Sequence, residues 1–278
     1  MNIVTRYQNH PEDVMLYTTE DLRKHFLVED FFVPDEVNLT YWHYDRMITG
    51  GIMPKAHSLT LAPCKEISAD WFFGRREGGI INIGGVGKIS IDGVKIEIDP
   101  FEGLYIGRGV KEITFAAANA LVPPKFVLMS APAHNDWPTK LITQDMVNEQ
   151  SIGDVSTGSK RTVVKYVHPE VVKSCQLVMG LIEVELGSVW SVMPVHTHER
   201  RSEAYLYFDM GEDTRVFHIM GEAGQTRHIV AANEQMVLAP GWSVHTGCGT
   251  GKYSLIWCTC GESKELADID LVPMGGLR

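Results

Sequence analysis

Three imidazoles and one carboxylate stand where they could share a metal ion. His196 and His198 flank Thr197, Glu203 follows shortly after, and His245 comes later in the chain. Neutral imidazole nitrogens and a charged oxygen form a full ligand set for a divalent transition metal. Histidines two apart suit a strand, where residues i and i+2 share a face. The spacing therefore predicts two nitrogens at one strand edge, converging with the carboxylate. Ligand types alone leave the metal open: zinc would act as a Lewis acid, whereas iron in the same cage favours oxygen chemistry. An accidental cluster of polar surface residues is the bland reading, and the apolar, strand-like segments around it argue against that.

The elements that must position these groups are mostly strands. Short alternating runs separated by Gly, Pro, Asn and Asp predict strands over 79–83, 88–91, 94–98 and 103–106 in the first half. In the second half they predict strands over 176–185, 203–208, 214–220, 226–230, 235–238 and 253–259. Asp92-Gly93 reads as a two-residue hairpin turn. Thr18-Thr19-Glu20-Asp21 can open a short helix through Phe26, and 143–147 can form a helical turn. Such regular spacing points to antiparallel barrels or sandwiches with few short helices.

The two halves echo one another. Arg75-Arg76-Glu77 matches Arg200-Arg201-Ser202-Glu203, residues 102–109 align with 234–241 without a gap, and Met53-Pro54 matches Met193-Pro194. In this alignment His245 falls on Ile113, and no HxH precedes Glu77. The expectation is an internal duplication: a barrel lacking metal ligands over 1–140, a linker over 141–165 rich in Ser, Thr, Asp and Gly, and a metal-binding barrel over 166–278.

Composition sets outer bounds. The 278 residues can bury a substantial core, and 44% hydrophobic with 22% charged residues describes a globular chain. A net charge of −10 without a dense basic run argues against nucleic acid. No apolar run reaches membrane-spanning length and the N-terminal residues lack a basic-then-apolar leader, so the cytoplasm is the expected compartment. The five cysteines, Cys64, Cys175, Cys248, Cys258 and Cys260, lack paired metal or redox spacing and read as free thiols.

Residues 187–211, with Pro194, His196, His198, Glu203 and Gly211, closely resemble the first cupin motif, and Leu238-Ala-Pro240-Gly241-Trp-Ser-Val-His245 resembles the second. The second motif departs from the common pattern at Gly249, where asparagine is usual; that position is not a ligand. Over nearly its full length the chain also resembles one enzyme family, 5-dehydro-4-deoxy-D-glucuronate isomerase. The resemblance is carried by GGIMP (50–54), RREGGIINIGG (75–85), CQLVMGL (175–181), MPVHTHERRSEAYLYF (193–208), TRHIV (226–230) and the Gly-Leu-Arg ending. It implies an all-β bicupin of two jelly-roll barrels with one zinc per subunit, held by His196, His198, Glu203 and His245, commonly assembled as a homohexamer. It also implies ketol-isomerisation of a small sugar acid, 5-dehydro-4-deoxy-D-glucuronate, to 3-deoxy-D-glycero-2,5-hexodiulosonate in pectin and uronate breakdown.

Aldose–ketose isomerisation needs a proton carrier and a cation for the substrate carboxylate. Glu203 could move the proton by leaving the metal, although a ligand role is simpler. Tyr205 and Tyr207 share its strand parity and could bring a phenol near the ion, or could simply pack. Glu199 falls on the opposite face. Arg161 and Lys165, just before the second barrel, and Arg200, Arg201 and Arg227 are candidate cations. His218 and His228 read as structural histidines. Two other functions use the same ligands: an iron-dependent cupin dioxygenase, and a sugar-binding bicupin whose metal is structural.

Overall fold

The structure, a computed structural model describing residues 1–278, is built mainly from antiparallel strands, with Asn2–Arg6 joining Val37–Trp42 in parallel and two short helices, Pro11–Val14 and Thr19–Phe26. The central strands Arg76–Asn82, Arg201–Phe208 and Ser254–Gly261 are buried along their whole length. The helix at Thr19 starts where the sequence predicts. The Thr18 hydroxyl accepts from the Asp21 N–H, while the Asp21 carboxylate accepts from the Thr18 N–H, closing a capping box. Residues 143–147 form only a turn, in which the Met146 N–H donates to the Thr143 carbonyl.

The chain forms two compact units. The first comprises Met1–Arg6, Phe31–Val147 and Tyr166–Val178; the second comprises Tyr7–Asp30, Asn148–Lys165 and Met179–Arg278. These do not coincide with the boundaries expected from composition. The polar stretch taken for a linker is largely ordered as strand: Lys140–Ile142 pairs with Gly103–Ile106, and Asn148–Ile152 pairs with Arg161–Val167. Near the N-terminus, Leu27–Val28 adds an edge strand to Gln235–Ala239 in the second unit. Backbone pairing decides membership here, and Ser- and Gly-rich composition cannot report it.

Both units repeat one strand order. In the first, Met47–Ile52, Phe126–Pro132, Arg76–Asn82 and Gly103–Ile106 lie side by side; in the second, Val178–Val184, Ser254–Gly261, Arg201–Phe208 and Gln235–Ala239 do the same. The register repeats too. Gly78 pairs with Ser130 and Ile106, and Ala204 pairs with Cys258 and Leu238. This places Glu77 and Glu203 at equivalent positions, as the sequence echo predicts. A smaller sheet faces each of these: Leu59–Thr60, Ile113–Ala117, Gly87–Ile91 and Val94–Ile98 in the first unit, and Gln225–Ala231, Val216–Glu222 and Thr246–Gly249 in the second. Asp92 and Gly93 both adopt positive φ in the tight turn between Ile91 and Val94, the geometry an Asp-Gly hairpin needs.

The interior differs between the units. The first is filled by apolar side chains, among them Phe72, Phe73, Ile80, Ile113 and Phe126. Each such burial contributes roughly 1.5–3 kcal/mol. Ile113, which takes the place of His245 in the alignment, belongs to this core. The second unit keeps polar groups inside its large sheet, and these form the site. All five cysteines are free thiols, with Cys258 and Cys260 buried.

Candidate metal centre

Three short segments of the second unit bring the histidines together. Strand His196–Thr197 pairs with Asp270–Leu271, a turn carries His198, and His245 immediately precedes strand Thr246–Gly249. The expected strand thus ends before His198, and the turn aims its ring. The His198 N–H donates to the Gly241 carbonyl, and a Cβ at Gly241 would lie 2.8 Å from the His198 oxygen and 2.9 Å from the Arg201 oxygen. Only glycine lets the second motif pass this close to the ligand turn.

Each ring is oriented by a backbone carbonyl. Nδ1 of His196 donates to Pro194 (2.9 Å), Nδ1 of His198 to Arg201 (2.9 Å) and Nδ1 of His245 to Ser243 (3.1 Å). A carbonyl can only accept, so in each neutral ring Nδ1 carries the proton and Nε2 presents a lone pair. Those lone pairs converge. Nε2 of His245 lies 3.2 Å from Nε2 of His196, and Oε2 of Glu203 lies 2.9 Å from Nε2 of His198 and 3.6 Å from Nε2 of His245. The donor atoms of the three histidines all lie within 4.8 Å of one another, so this group can hold a metal ion. A tetrahedral ion with bonds of ~2.0–2.1 Å separates its ligand atoms by about 3.3 Å, and three of the donor pairs, at 2.9, 3.2 and 3.6 Å, bracket that value. Burial holds His196 below the ordinary imidazole range and His245 far below it, keeping both rings neutral and ready to ligate.

A cavity of about 180 Å³ opens on His196 and His198, lined by Arg161, Arg201, Tyr205 and Thr259 among polar residues and by Val163 and Ile182 among aliphatic ones. Its walls follow strand alternation. Arg201, Glu203 and Tyr205 face it from one strand, and Trp257 and Thr259 from the next, with Glu203 paired to Thr259 and Tyr205 to Trp257.

The other expected residues divide clearly. Tyr205 lines the cavity; burial and the hydrogen bond it donates to Glu203 raise its pKa well above the phenol range. Tyr207 does not line it. The Tyr207 hydroxyl is 2.7 Å from Nδ1 of His218, a fully buried imidazole that burial holds down to about 3. Arg161 lines the cavity, nearly buried, with its Nη atoms donating to the Ser159 and Met193 carbonyls and its charge without a carboxylate partner. Burial lowers its pKa. Arg201 also lines the cavity, donating to the Glu265 carbonyl with Asp268 3.8 Å away. Lys165 is buried but is not among the lining residues. Arg200 is taken by Asp268 and Asp270, Arg227 donates to the Met15 and Tyr17 carbonyls, and Glu199 is exposed. Trp257 and Thr259 are the residues that sequence reasoning missed. Strand parity sets them opposite the buried Cys258 and Cys260, but their pairing with Glu203 and Tyr205 is a register across the sheet that no local pattern shows.

The KduI/IolB family profile matches residues 27–271. A 4-deoxy-L-threo-5-hexosulose-uronate ketol-isomerase of Enterococcus faecalis is 48% identical over 274 residues, spanning 99% of this chain and 99% of its own. An enzyme of the same name from Lachnoclostridium phytofermentans is 48% identical, over 96% of this chain and 97% of its own. Another from Pectobacterium carotovorum is 47% identical, over 98% and 99%. Among solved structures, an IolB-like protein of Salmonella typhimurium matches with a TM-score of 0.72 at 14% identity, covering 89% of this chain and 96% of that one. An oxalate decarboxylase of Lactobacillus farciminis matches with a TM-score of 0.56 at 10% identity, covering 81% and 79%. At such identities the solved structures speak to the fold alone.

Proposed function

The chain belongs to the KduI/IolB family and is an enzyme of the ketol-isomerase class, and we propose that it converts 5-dehydro-4-deoxy-D-glucuronate to 3-deoxy-D-glycero-2,5-hexodiulosonate. In this reading one zinc ion per subunit is held by His196, His198, Glu203 and His245. The observation that carries it is the set of three Nδ1–carbonyl bonds, which commit three Nε2 lone pairs to one point beside a carboxylate. Zinc bound there supplies a Lewis acid for the substrate oxygens without redox chemistry of its own.

The protein's groups do the rest. The C1 aldehyde becomes an alcohol and the C2 alcohol a ketone, so one proton leaves C2, one reaches C1, and one passes between the two oxygens. Tyr205, whose pKa is raised by burial and by Glu203, stays protonated and serves as a donor. Glu203 would carry the carbon-bound proton by leaving the ion, since Tyr205 keeps its own. Arg161, a buried cation without an acid partner, takes the substrate carboxylate; Arg201 is the other cation lining the cavity, and Lys165, buried outside the lining, comes after it. A guanidinium fork suits a carboxylate bidentately. The aliphatic wall of Ile152, Val163, Ile182 and Leu266 suits the deoxy carbon, which has no hydroxyl to satisfy. The enzyme works in uronate breakdown downstream of pectin, in the cytoplasm, as a homohexamer. No helix is long and apolar enough to cross a membrane.

The test is turnover by metal-replete protein of 5-dehydro-4-deoxy-D-glucuronate, followed by NMR in deuterated water. Conversion to the diulosonate supports the reading. No conversion, or stoichiometric iron with oxygen uptake, would overturn it.

A further inference from the structure

Two residues that line the cavity each carry a buried polar atom without a partner. Arg201 and Thr259 line the cavity, and Nε of the one and Oγ1 of the other are buried and make no hydrogen bond. Arg201 is 3% exposed and Thr259 2%. Native proteins leave few buried polar groups unpaired, and those they leave call for a ligand, a water or an ion. The indole N–H of Trp257 is unpartnered as well, but so are those of Trp42 and Trp71 away from this cavity, and so is the Thr49 hydroxyl; the weight rests on Arg201 and Thr259 occurring together, diagonal across one register, in a single cavity.

Register fixes where the two atoms stand. Thr259 pairs directly with Glu203, and Arg201 pairs with Gly261, two residues beyond Thr259 on the same strand. Directly paired side chains lie ~4.5–5.5 Å apart at Cβ and diagonal neighbours ~7–8 Å apart at Cα. Thr259 therefore flanks the proposed ligand Glu203, and Arg201 stands one step further along the same face. The chemistry of the two atoms differs. An Arg Nε–H only donates, so it requires an acceptor such as a carbonyl or carboxylate oxygen. A threonine hydroxyl both donates and accepts, so it suits a substrate hydroxyl.

We propose that Thr259 Oγ1 and Arg201 Nε–H form a two-point clamp on successive oxygens of an open-chain deoxy-keto sugar acid, and that Thr259 is a specificity-determining residue. The clamp rests on the proposed isomerase reading in one respect: the side near Glu203 is taken as the reacting end. Thr259 holds a hydroxyl of the carbon chain beside the metal ligands, and Arg201 holds an oxygen further toward the acid end. An analogue with hydrogen in place of that hydroxyl would leave Thr259 buried and unpaired, which a site built this way rejects.

The experiment compares wild-type protein with Thr259→Val and Thr259→Ser. KM and kcat are measured with 5-dehydro-4-deoxy-D-glucuronate, bound metal by elemental analysis, and the Kd for 2-keto-3-deoxygluconate by calorimetry. That probe is a six-carbon deoxy-keto acid without an aldehyde, so it reports binding independently of turnover. Thr259→Val is expected to raise KM and the probe Kd roughly five- to tenfold, the loss of one neutral hydrogen bond. Metal content should stay unchanged, and Thr259→Ser should recover most of the affinity. Equal affinity in wild type and Thr259→Val overturns the proposal. So does metal loss at unchanged affinity, since Thr259 would then support Glu203 and not the substrate. If the valine variant does not fold, Thr259→Ala removes the hydroxyl without adding bulk and is read the same way. Wild-type protein that binds the probe through Thr259 but does not isomerise would leave the clamp standing and remove the isomerase reading.

Discussion

Nε2 of His198 stands 2.9 Å from Oε2 of Glu203, while the ring's Nδ1 donates to the Arg201 carbonyl. In a neutral ring this sets one acceptor against another. His196 and His245 repeat the arrangement, with their Nε2 atoms 3.2 Å apart. A shared cation would turn this repulsion into ligation, so the ring tautomers, more than the proximity of the residues, point to a metal.

Metal removal tests this directly. A metal that binds only the folded state stabilises it by about 2.7 kcal/mol at 100-fold over its Kd. For a chain of this size that corresponds to roughly 5–10 °C in Tm. Chelation should lower Tm by that order and abolish activity, and adding back zinc should restore both, as scanning calorimetry and an activity assay will record. A Tm indifferent to chelator would show that the cluster holds no ion.

Arg161 tests the carboxylate site. Arg161→Lys keeps a charge but loses the planar fork, and KM should rise roughly tenfold with metal content unchanged. Arg161→Met removes the charge as well, and roughly a hundredfold loss in kcat/KM is expected. An unchanged KM in the methionine variant would move the carboxylate to another cation, Arg201 first.

The two tyrosines share strand parity and differ in role. Tyr205→Phe removes the hydroxyl that donates to Glu203 inside the cavity, so kcat should fall roughly tenfold or more while the fold persists. Tyr207→Phe removes the hydroxyl that meets Nδ1 of His218. It should cost about 1 kcal/mol of stability and leave kcat near wild type. Reversed effects in a paired assay of kcat and denaturant midpoint would reverse the assignment.

How far the sequence reaches is clear at these positions. Ligand chemistry restricts residue types, so type and spacing could pick out His196, His198, Glu203 and His245 as candidates, and the structure brings the three histidines together as a group able to hold a metal. Period-two alternation likewise marked the strands carrying Tyr205 and Tyr207. It could not say that the face they share turns inward at Tyr207, where His218 fills the space beyond the cavity. Lys165 has the parity of Arg161 and Val163 yet falls beyond the cavity wall, because alternation gives a face and not a depth. Leu27–Val28 joining Gln235–Ala239 is a long-range pairing that leaves no local trace.

His218 predicts a pH dependence of stability. Burial holds it down to about 3, against an ordinary value of 6.5. Between those values the unfolded chain binds a proton that the folded protein refuses, so stability falls as pH drops through that window, by up to about 1.4 kcal/mol per pH unit. His218→Gln keeps an acceptor for Tyr207 and removes the titration. Between pH 7 and pH 4.5 it should lose about 2–3 kcal/mol less stability than wild type by urea unfolding. Parallel losses in the two proteins would show that His218 is protonated without cost.

Glu77 sits at the position in the first unit that Glu203 holds in the second, and its chemistry is different. Its carboxylate is fully buried and accepts from the backbone N–H groups of Cys175 (2.6 Å), Gln176 (2.7 Å) and Leu177 (2.8 Å) and from the Tyr105 hydroxyl (2.7 Å). With four donors satisfied by one carboxylate, no oxygen lone pair is directed at a histidine, and the position that aligns with His245 is the core residue Ile113. The duplicated glutamate has become an anchor for the segment 175–177. Glu77→Gln replaces one acceptor oxygen by an amide that itself donates, setting N–H against N–H in a buried site. The expected cost is roughly 3 kcal/mol or more, a fall in Tm of about 6–12 °C, with bound metal per chain unchanged because the candidate ligands belong to the second unit. Scanning calorimetry with metal analysis of the same sample decides it: a wild-type Tm would deny the anchor, and a loss of metal would deny that the two glutamates have parted in function.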